Sequence, residues 1–262
     1  EKPLSLTRLD LSGNRLGECC GSTFDTLLQT LHLTTLCLDD NDLRDEGARS
    51  LAVALVEQAT CVNFLSLRRN GICTIGLLTL ASMLEVNGTL TMLHLDENEF
   101  GTSSGAIEAA EGPVALAFAL RRNRTLTSLS LEGSALGDDG LRVIGEALLE
   151  SSVSRLTFGR FDDFELTHDQ SSLQIGQDRL LDGSATLLAS LLVRNMALTS
   201  LDMLGVAISD ASIGIIGEAL LRSKFSQLAF LRCSLFDCSE GVHKLTLNSR
   251  HATFNDIVLL SA

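Results

Sequence analysis

Apolar residues recur along this chain in a fixed frame. From Leu6 the sequence reads LTRLDLSGNRL, apolar at positions one, four, six and eleven, with asparagine at nine. The frame returns at Leu33 (LTTLCLDDNDL), Val62 (VNFLSLRRNGI), Leu90 (LTMLHLDENEF), Leu126 (LTSLSLEGSAL), Leu198 (LTSLDMLGVAI) and Phe225 (FSQLAFLRCSL), where Cys233 stands at position nine. Alternating residues such as Leu36 and Leu38 describe a short strand with one buried face and one exposed face. The asparagines at position nine (Asn14, Asn41, Asn70, Asn98) are placed to satisfy backbone groups where the chain leaves the strand. The spacing then changes to three and four: Ala48, Leu51, Ala52, Leu55 in one copy and Leu77, Leu80, Ala81, Leu84 in the next. These positions predict helices packed behind the strands.

The frame LxxLxLxx(N/C)xL resembles the leucine-rich repeats of the ribonuclease-inhibitor-like class, as in ribonuclease inhibitor, Ran GTPase activators and NOD-like receptors. That resemblance implies an α/β horseshoe solenoid, with parallel strands on the concave face and helices on the convex face. It also implies protein binding. Helices are wider than strands, so such a stack must bend.

A longer period overlies the repeat. The stretch from Leu126, LTSLSLEGSALGDDGLRVIGEALL, realigns with LTSLDMLGVAISDASIGIIGEALL from Leu198. Within it a shortened unit runs from Val153 to Gln170, and another from Phe225 to Val242. Both are predicted to lack the helix, with loops at Phe161–Asp169 and Phe236–Gly241 leaving notches in the convex layer. Phe161 and Phe164 are expected to fill the first gap. Counting these units gives ten parallel strands. An insertion, GTSSGAIEAAEG, follows Phe100, and the next helix is expected to start at Pro113. The whole chain, 1–262, reads as one repeat domain. Leu4 and Leu6 open in register and FNDIVLLSA ends in mid-helix pattern, so it is expected to be part of a longer array.

Charge narrows the partners. The chain carries 33 acidic and 20 basic side chains, net −13, which disfavours nucleic acid and anionic membranes. No run of apolar residues is long enough for direct membrane insertion. Seven cysteines without compact spacing read as buried thiols in the cytoplasm or another reducing compartment, Cys233 among them. The sequons at Asn87 and Asn123 share one repeat position, which marks a helix-end asparagine. Five scattered histidines and the lack of a phosphate-binding loop point away from catalysis and from any cofactor. His94 and Asp96 share a strand face, but two ligands do not make a metal site.

The exposed strand positions carry the remaining signal. Asp39 and Asp40 precede Phe64, Arg68 and Arg69 by one repeat, and Met92, His94, Asp96 and Glu97 follow. Arg68 and Arg69 thus sit in an acidic surround, both expected to point to solvent. These nine residues form the expected partner-binding patch, with later units (Arg155, Arg160, Gln174, Gln177) blander. The chain lacks tryptophan and tyrosine, so recognition is expected to depend on charge and shape. The expected function is a non-enzymatic protein-interaction module. Activation of a small GTPase and an architectural role in a large assembly are the alternatives.

Overall fold

The computed structural model describes residues 6–18, 21–57, 60–101, 110–151, 154–167, 170–176, 179–222, 230–233 and 237–238. Strands β1 (Arg8–Asp10), β2 (Thr35–Cys37), β3 (Phe64–Ser66), β4 (Met92–His94) and β5 (Ser128–Ser130) alternate with helices α1 (Gly21–Thr30), α2 (Arg44–Glu57), α3 (Thr74–Val86), α4 (Glu111–Arg122) and α5 (Gly137–Glu150). Strands β6 (Phe158–Arg160), β7 (Glu165–Leu166) and β8 (Ser172–Gln174) follow in succession. Helix α6 (Asp182–Leu192), β9 (Ser200–Met203), α7 (Asp210–Arg222), β10 (Phe230–Cys233) and β11 (Asp237–Cys238) complete the order.

The strands stack in parallel with position four in register, so Leu9, Leu36, Leu65, Leu93 and Leu129 form one row. Leu36, Leu65, Leu93 and Leu129 are fully buried, as are the predicted helix residues Leu51, Leu77, Leu80 and Leu84. One apolar core therefore runs between sheet and helices along the array. The asparagine ladder lies at its rim. Asn41 Oδ1 accepts from the backbone of Asn14 and Leu16, Asn70 Oδ1 from Asn41 and Leu43, and Asn98 Oδ1 from Asn70 and Ile72. Each amide also donates back to strand carbonyls, as Asn70 does to Leu38 at 3.0 Å. Position eight is left-handed in the six full repeats, at Gly13, Asp40, Arg69, Glu97, Gly133 and Gly205. The chain turns there out of the strand. An L residue at this φ costs about 1–2 kcal/mol, and Asp40, Arg69 and Glu97 bear it.

The shortened unit departs from the prediction. It has no helix among its described residues, 154–167, as expected, but its loop is a hairpin: β7 returns antiparallel to β6, Arg160 opposite Glu165. The array therefore holds two sheets, β1 to β7 and β8 to β11, with no pairing between β7 and β8. Among the described residues nine strands run parallel, and β7 and β11 run antiparallel. The unit's frame also moves by three residues. Leu129 pairs with Gly159, so Leu156 rather than Val153 opens it. A glycine at the apolar fourth position hides this frame in the sequence. Its space belongs to Phe161, whose ring would lie 2.5 Å from a Cβ on Gly159. Phe161 packs on Phe164 at 5.2 Å between centroids, and both are buried, filling the gap as predicted. The same shift applies at β10. Leu231 pairs with Leu201, which puts Cys233 at strand position six and not in the asparagine position. The side chain of Cys233, the loop Phe236–Gly241 as a whole and the strand expected near Val242 lie outside the described residues.

The expected convex notch at the first short unit is closed. Helix α6 packs directly on α5, and Asp138 Oδ1 on α5 accepts from Gly183 N at 2.7 Å. Asp45 on α2 makes the same link to α3, accepting from Cys73 N and Gly76 N. The helix layer thus continues as if the short unit were absent, while the strand ladder beneath it is interrupted between β7 and β8. Arg222 on α7 reaches back to Leu149 O on α5 at 3.1 Å, over the end of α6. Gly183 through Leu192 on α6 are all buried.

Two smaller expectations are refined. Helix α4 begins at Glu111, so Pro113 lies two residues inside its first turn; residues 102–109 of the insertion are outside the described set. Asn87 and Asn123 are C-caps, and each accepts two backbone N–H groups from the following turn. Asn123 is buried and donates to Leu84 O at 2.7 Å, leaving no room for a glycan in the folded chain.

Candidate functional site

The concave positions of β4, β5 and β6 differ in size. Position three carries Met92 and then Ser128; position five carries His94, Ser130 and then Arg160. Small serines on β5 therefore lie sunk between bulkier neighbours. The hairpin supplies a wall, because Glu165 stands opposite Arg160 across the antiparallel pair and Thr167 also lines the depression. The result is a depression of about 550 Å³ reaching from Arg68 to Thr167. Leu166 and Gly159 also border it.

Four of the nine predicted residues line this depression: Arg68, Met92, His94 and Asp96. Phe64 adjoins it, its ring edge-on to His94 at 5.0 Å. Asp40, Arg69 and Glu97 lie on the left-handed turn at the strand ends, at the margin of the concave face rather than on the strands themselves. Arg69 Nε pairs with Glu97 at 2.7 Å, and Arg69 is well exposed.

Two predicted contact residues are structural. Asp96 is buried; its Oδ1 accepts from Ser130 Oγ and from Glu132 N at 3.1 Å. Asp39 repeats the motif two units away, accepting from Ser66 Oγ and Arg68 N. An aspartate at position seven thus ties its strand to the next one. Arg68 is not a solvent-facing residue as expected: its Nε lies 3.3 Å from Asp96 Oδ2, and its side chain is one-third exposed. Asp96 thus joins Arg68, Ser130 and Glu132 across neighbouring strands. Among the described residues no cluster of three or more metal-ligating side chains occurs.

Burial lowers the basicity of His94 below the ordinary histidine range, with Arg68 and Arg160 adding to the effect and Asp96 opposing it. The ring is neutral at pH 7 and presents one donor and one acceptor. Arg160 pairs through Nε with Glu132 at 2.7 Å and Glu165 at 3.7 Å. Sequence reasoning counted Arg160 among the blander positions, left Ser128 and Ser130 out of the patch and missed the hairpin wall. The available signal was the pair of serines at concave positions between large residues.

The cysteine reading needs correction. Cys37, Cys61 and Cys73 are free; Cys61 is exposed and the others are half-buried. Burial pushes the pKa of the Cys37 thiol up, and Asp10 and Asp39 push it further, so the thiol ionises less readily. Iodoacetamide should therefore label Cys61 well before Cys37, since the thiolate is the nucleophile. Equal labelling rates in the folded chain, followed by peptide mapping, would contradict this placement. Among the described residues no helix is long and apolar enough to cross a membrane.

Comparison with known proteins agrees with the register. A Leucine Rich repeat family matches residues 31–52 and 122–145, and a second Leucine Rich Repeat family matches residues 5–27. The chain is 26% identical to human NACHT, LRR and PYD domains-containing protein 5 over 92% of its own length, and 31% identical to human NACHT, LRR and PYD domains-containing protein 3 over 62%. It spans 21% of the length of each. Bovine Tonsoku-like protein is 35% identical over 58% of this chain, which spans 11% of that protein. In fold, the chain is similar to the leucine-rich repeat-containing protein LegL7 from Legionella pneumophila, with a TM-score of 0.50 and 22% identity, covering 84% of this chain and 64% of that one. By repeat register and fold the chain is a leucine-rich-repeat solenoid, and its repeats are similar to those of the NACHT, LRR and PYD domains-containing proteins.

Proposed function

We propose that this chain, 1–262 as one repeat domain, is a non-enzymatic module that holds a protein partner on its concave face. The observation that carries this reading is the depression beside Phe64 and His94, where small serines and a hairpin wall interrupt an otherwise regular sheet. A regular face needs neither device for stability, and concave pockets with apolar walls and a few polar groups are where ligands seat. Phe64, Arg68, Met92 and His94 form the contact centre in this reading, with Arg69, Asp40 and Glu97 at its margin. Asp39 and Asp96 hold the strands that present them. The net charge of −13 supports a protein partner over nucleic acid or a membrane surface. The proposed compartment is the cytoplasm or another reducing one, in keeping with the uneven, widely spaced cysteines.

Charge reversal of Arg68 would set a second carboxylate against buried Asp96, so it tests folding as much as binding. A cleaner variant combines Arg69→Glu with Met92→Glu, both on exposed side chains. We expect it to weaken partner retention by about 2 kcal/mol or more, the scale for interface charge loss, with an unchanged melting temperature. Immobilised wild type and variant are compared by the proteins each retains from cell extract, identified by mass spectrometry. Equal retention of every protein would overturn the concave reading.

A further inference from the structure

The hydrogen-bonding capacity left over in the depression is unbalanced. Its carboxylates are largely used: Asp96 accepts from Ser130 and Glu132 and pairs with Arg68, and Glu165 lies 3.7 Å from Arg160. Its donors are not. The contact in each ion pair of Arg160 runs to Nε rather than to its terminal nitrogens. Arg68 pairs through Nε with Asp96 at 3.3 Å and only loosely through one terminal nitrogen with Glu97 at 3.9 Å. The Ser128 hydroxyl has no partner among the described residues, and neutral His94 adds an N–H. Between these donors the surface is apolar, with Met92 on one side and buried Leu166 at the foot of the hairpin. Guanidinium nitrogens presented in this way match the two oxygens of a carboxylate.

We propose that the depression between β4 and the β6–β7 hairpin binds an acidic side chain in an extended segment of the protein partner, the carboxylate lying against Arg160 and Arg68. An apolar residue next to that acid packs on Met92. The hairpin sets specificity, because Glu165 competes with the incoming carboxylate for Arg160 and excludes a weakly held one. An acidic chain would repel an acidic partner at long range, so this recognition is local and depends on contact with the two arginines. The inference rests on the concave face being the binding surface.

A phage-displayed random-peptide library selected on the intact chain tests it. The enriched peptides are expected to carry Asp or Glu beside an apolar residue. Arg160→Met should weaken the best synthetic peptide at least about tenfold, within the range for truncating one partner of a charge pair. Glu165→Gln should strengthen it by removing the competitor. Ser128→Trp, which fills the depression from a half-buried concave position, should abolish binding. Enrichment of basic or uncharged peptides that Ser128→Trp blocks would overturn the proposal while leaving the concave reading intact. Weaker binding by Glu165→Gln would also overturn it. Peptides that bind Ser128→Trp as well as wild type would overturn both.

Discussion

Replacing Gly145 by alanine is expected to destabilise the chain by about 3 kcal/mol, at the upper end of ordinary overpacking costs. On an isolated helix the same change stabilises by about 1 kcal/mol, because alanine is the better helix former. Packing decides the sign. A Cβ at this position would lie 2.7 Å from Leu187 N and 2.8 Å from the Thr186 carbonyl carbon, both backbone atoms of α6 that cannot rotate away. The measurement is the urea midpoint of Gly145→Ala against wild type. Gly88→Ala is the control, since nothing lies within 4 Å of that position; it should change stability by no more than about 0.5 kcal/mol. A stabilised Gly145→Ala would mean that α5 and α6 are apart and that the convex layer is notched after all.

Removing the middle of the asparagine ladder is expected to cost as much or more. Asn70 is fully buried, accepts from Asn41 N and Leu43 N, and donates to Leu38 O and Arg68 O. Asn70→Ala takes the acceptor from Asn41 N and Leu43 N, while Leu38 O and Arg68 O each keep one other donor; each buried orphan costs about 1–3 kcal/mol before relaxation. A loss of about 3 kcal/mol or more is therefore expected. Asn14 stands at the outer end of the ladder, exposed, and donates to Leu11 O and Ser12 O. Water replaces those bonds, so Asn14→Ala should cost about 1 kcal/mol at most. Paired denaturation curves check the contrast. Equal losses at the two positions would show that burial of the ladder is not what gives it value.

Much of this architecture is legible in the chain because it is local. Leucines at positions one, four and six must face one way from a short strand, and asparagine at nine has no better use than its neighbours' backbone. The helical periods at Ala48 to Leu55 and Leu77 to Leu84 follow from spacing alone. The site is less legible. Arg68, Met92 and His94 could be placed on the concave face by register. The roles of Asp39 and Asp96 could not, because an aspartate at position seven looks the same whether it meets solvent or the serine of the next strand. Burial by that next strand turns it from a contact residue into a tie.

The short unit marks the boundary between the two kinds of knowledge. Its lack of a helix was readable from length. Its frame was not, since VSRLTF and LTFGRF both fit the repeat, and the choice between them rests on Phe161 filling the space above Gly159. The helix layer then closed over the gap because Gly145 and Gly183 let α5 and α6 approach, and Asp138 capped the joint. Repeating patterns dictate what each unit buries, since that depends on neighbours a few residues away. Where a unit is missing, the partners are set by which surfaces meet across 40 or more residues, as Asp138 meets Gly183 at a separation of 45. Only the packed tertiary structure decides that, and with it the hairpin wall that shapes the concave depression.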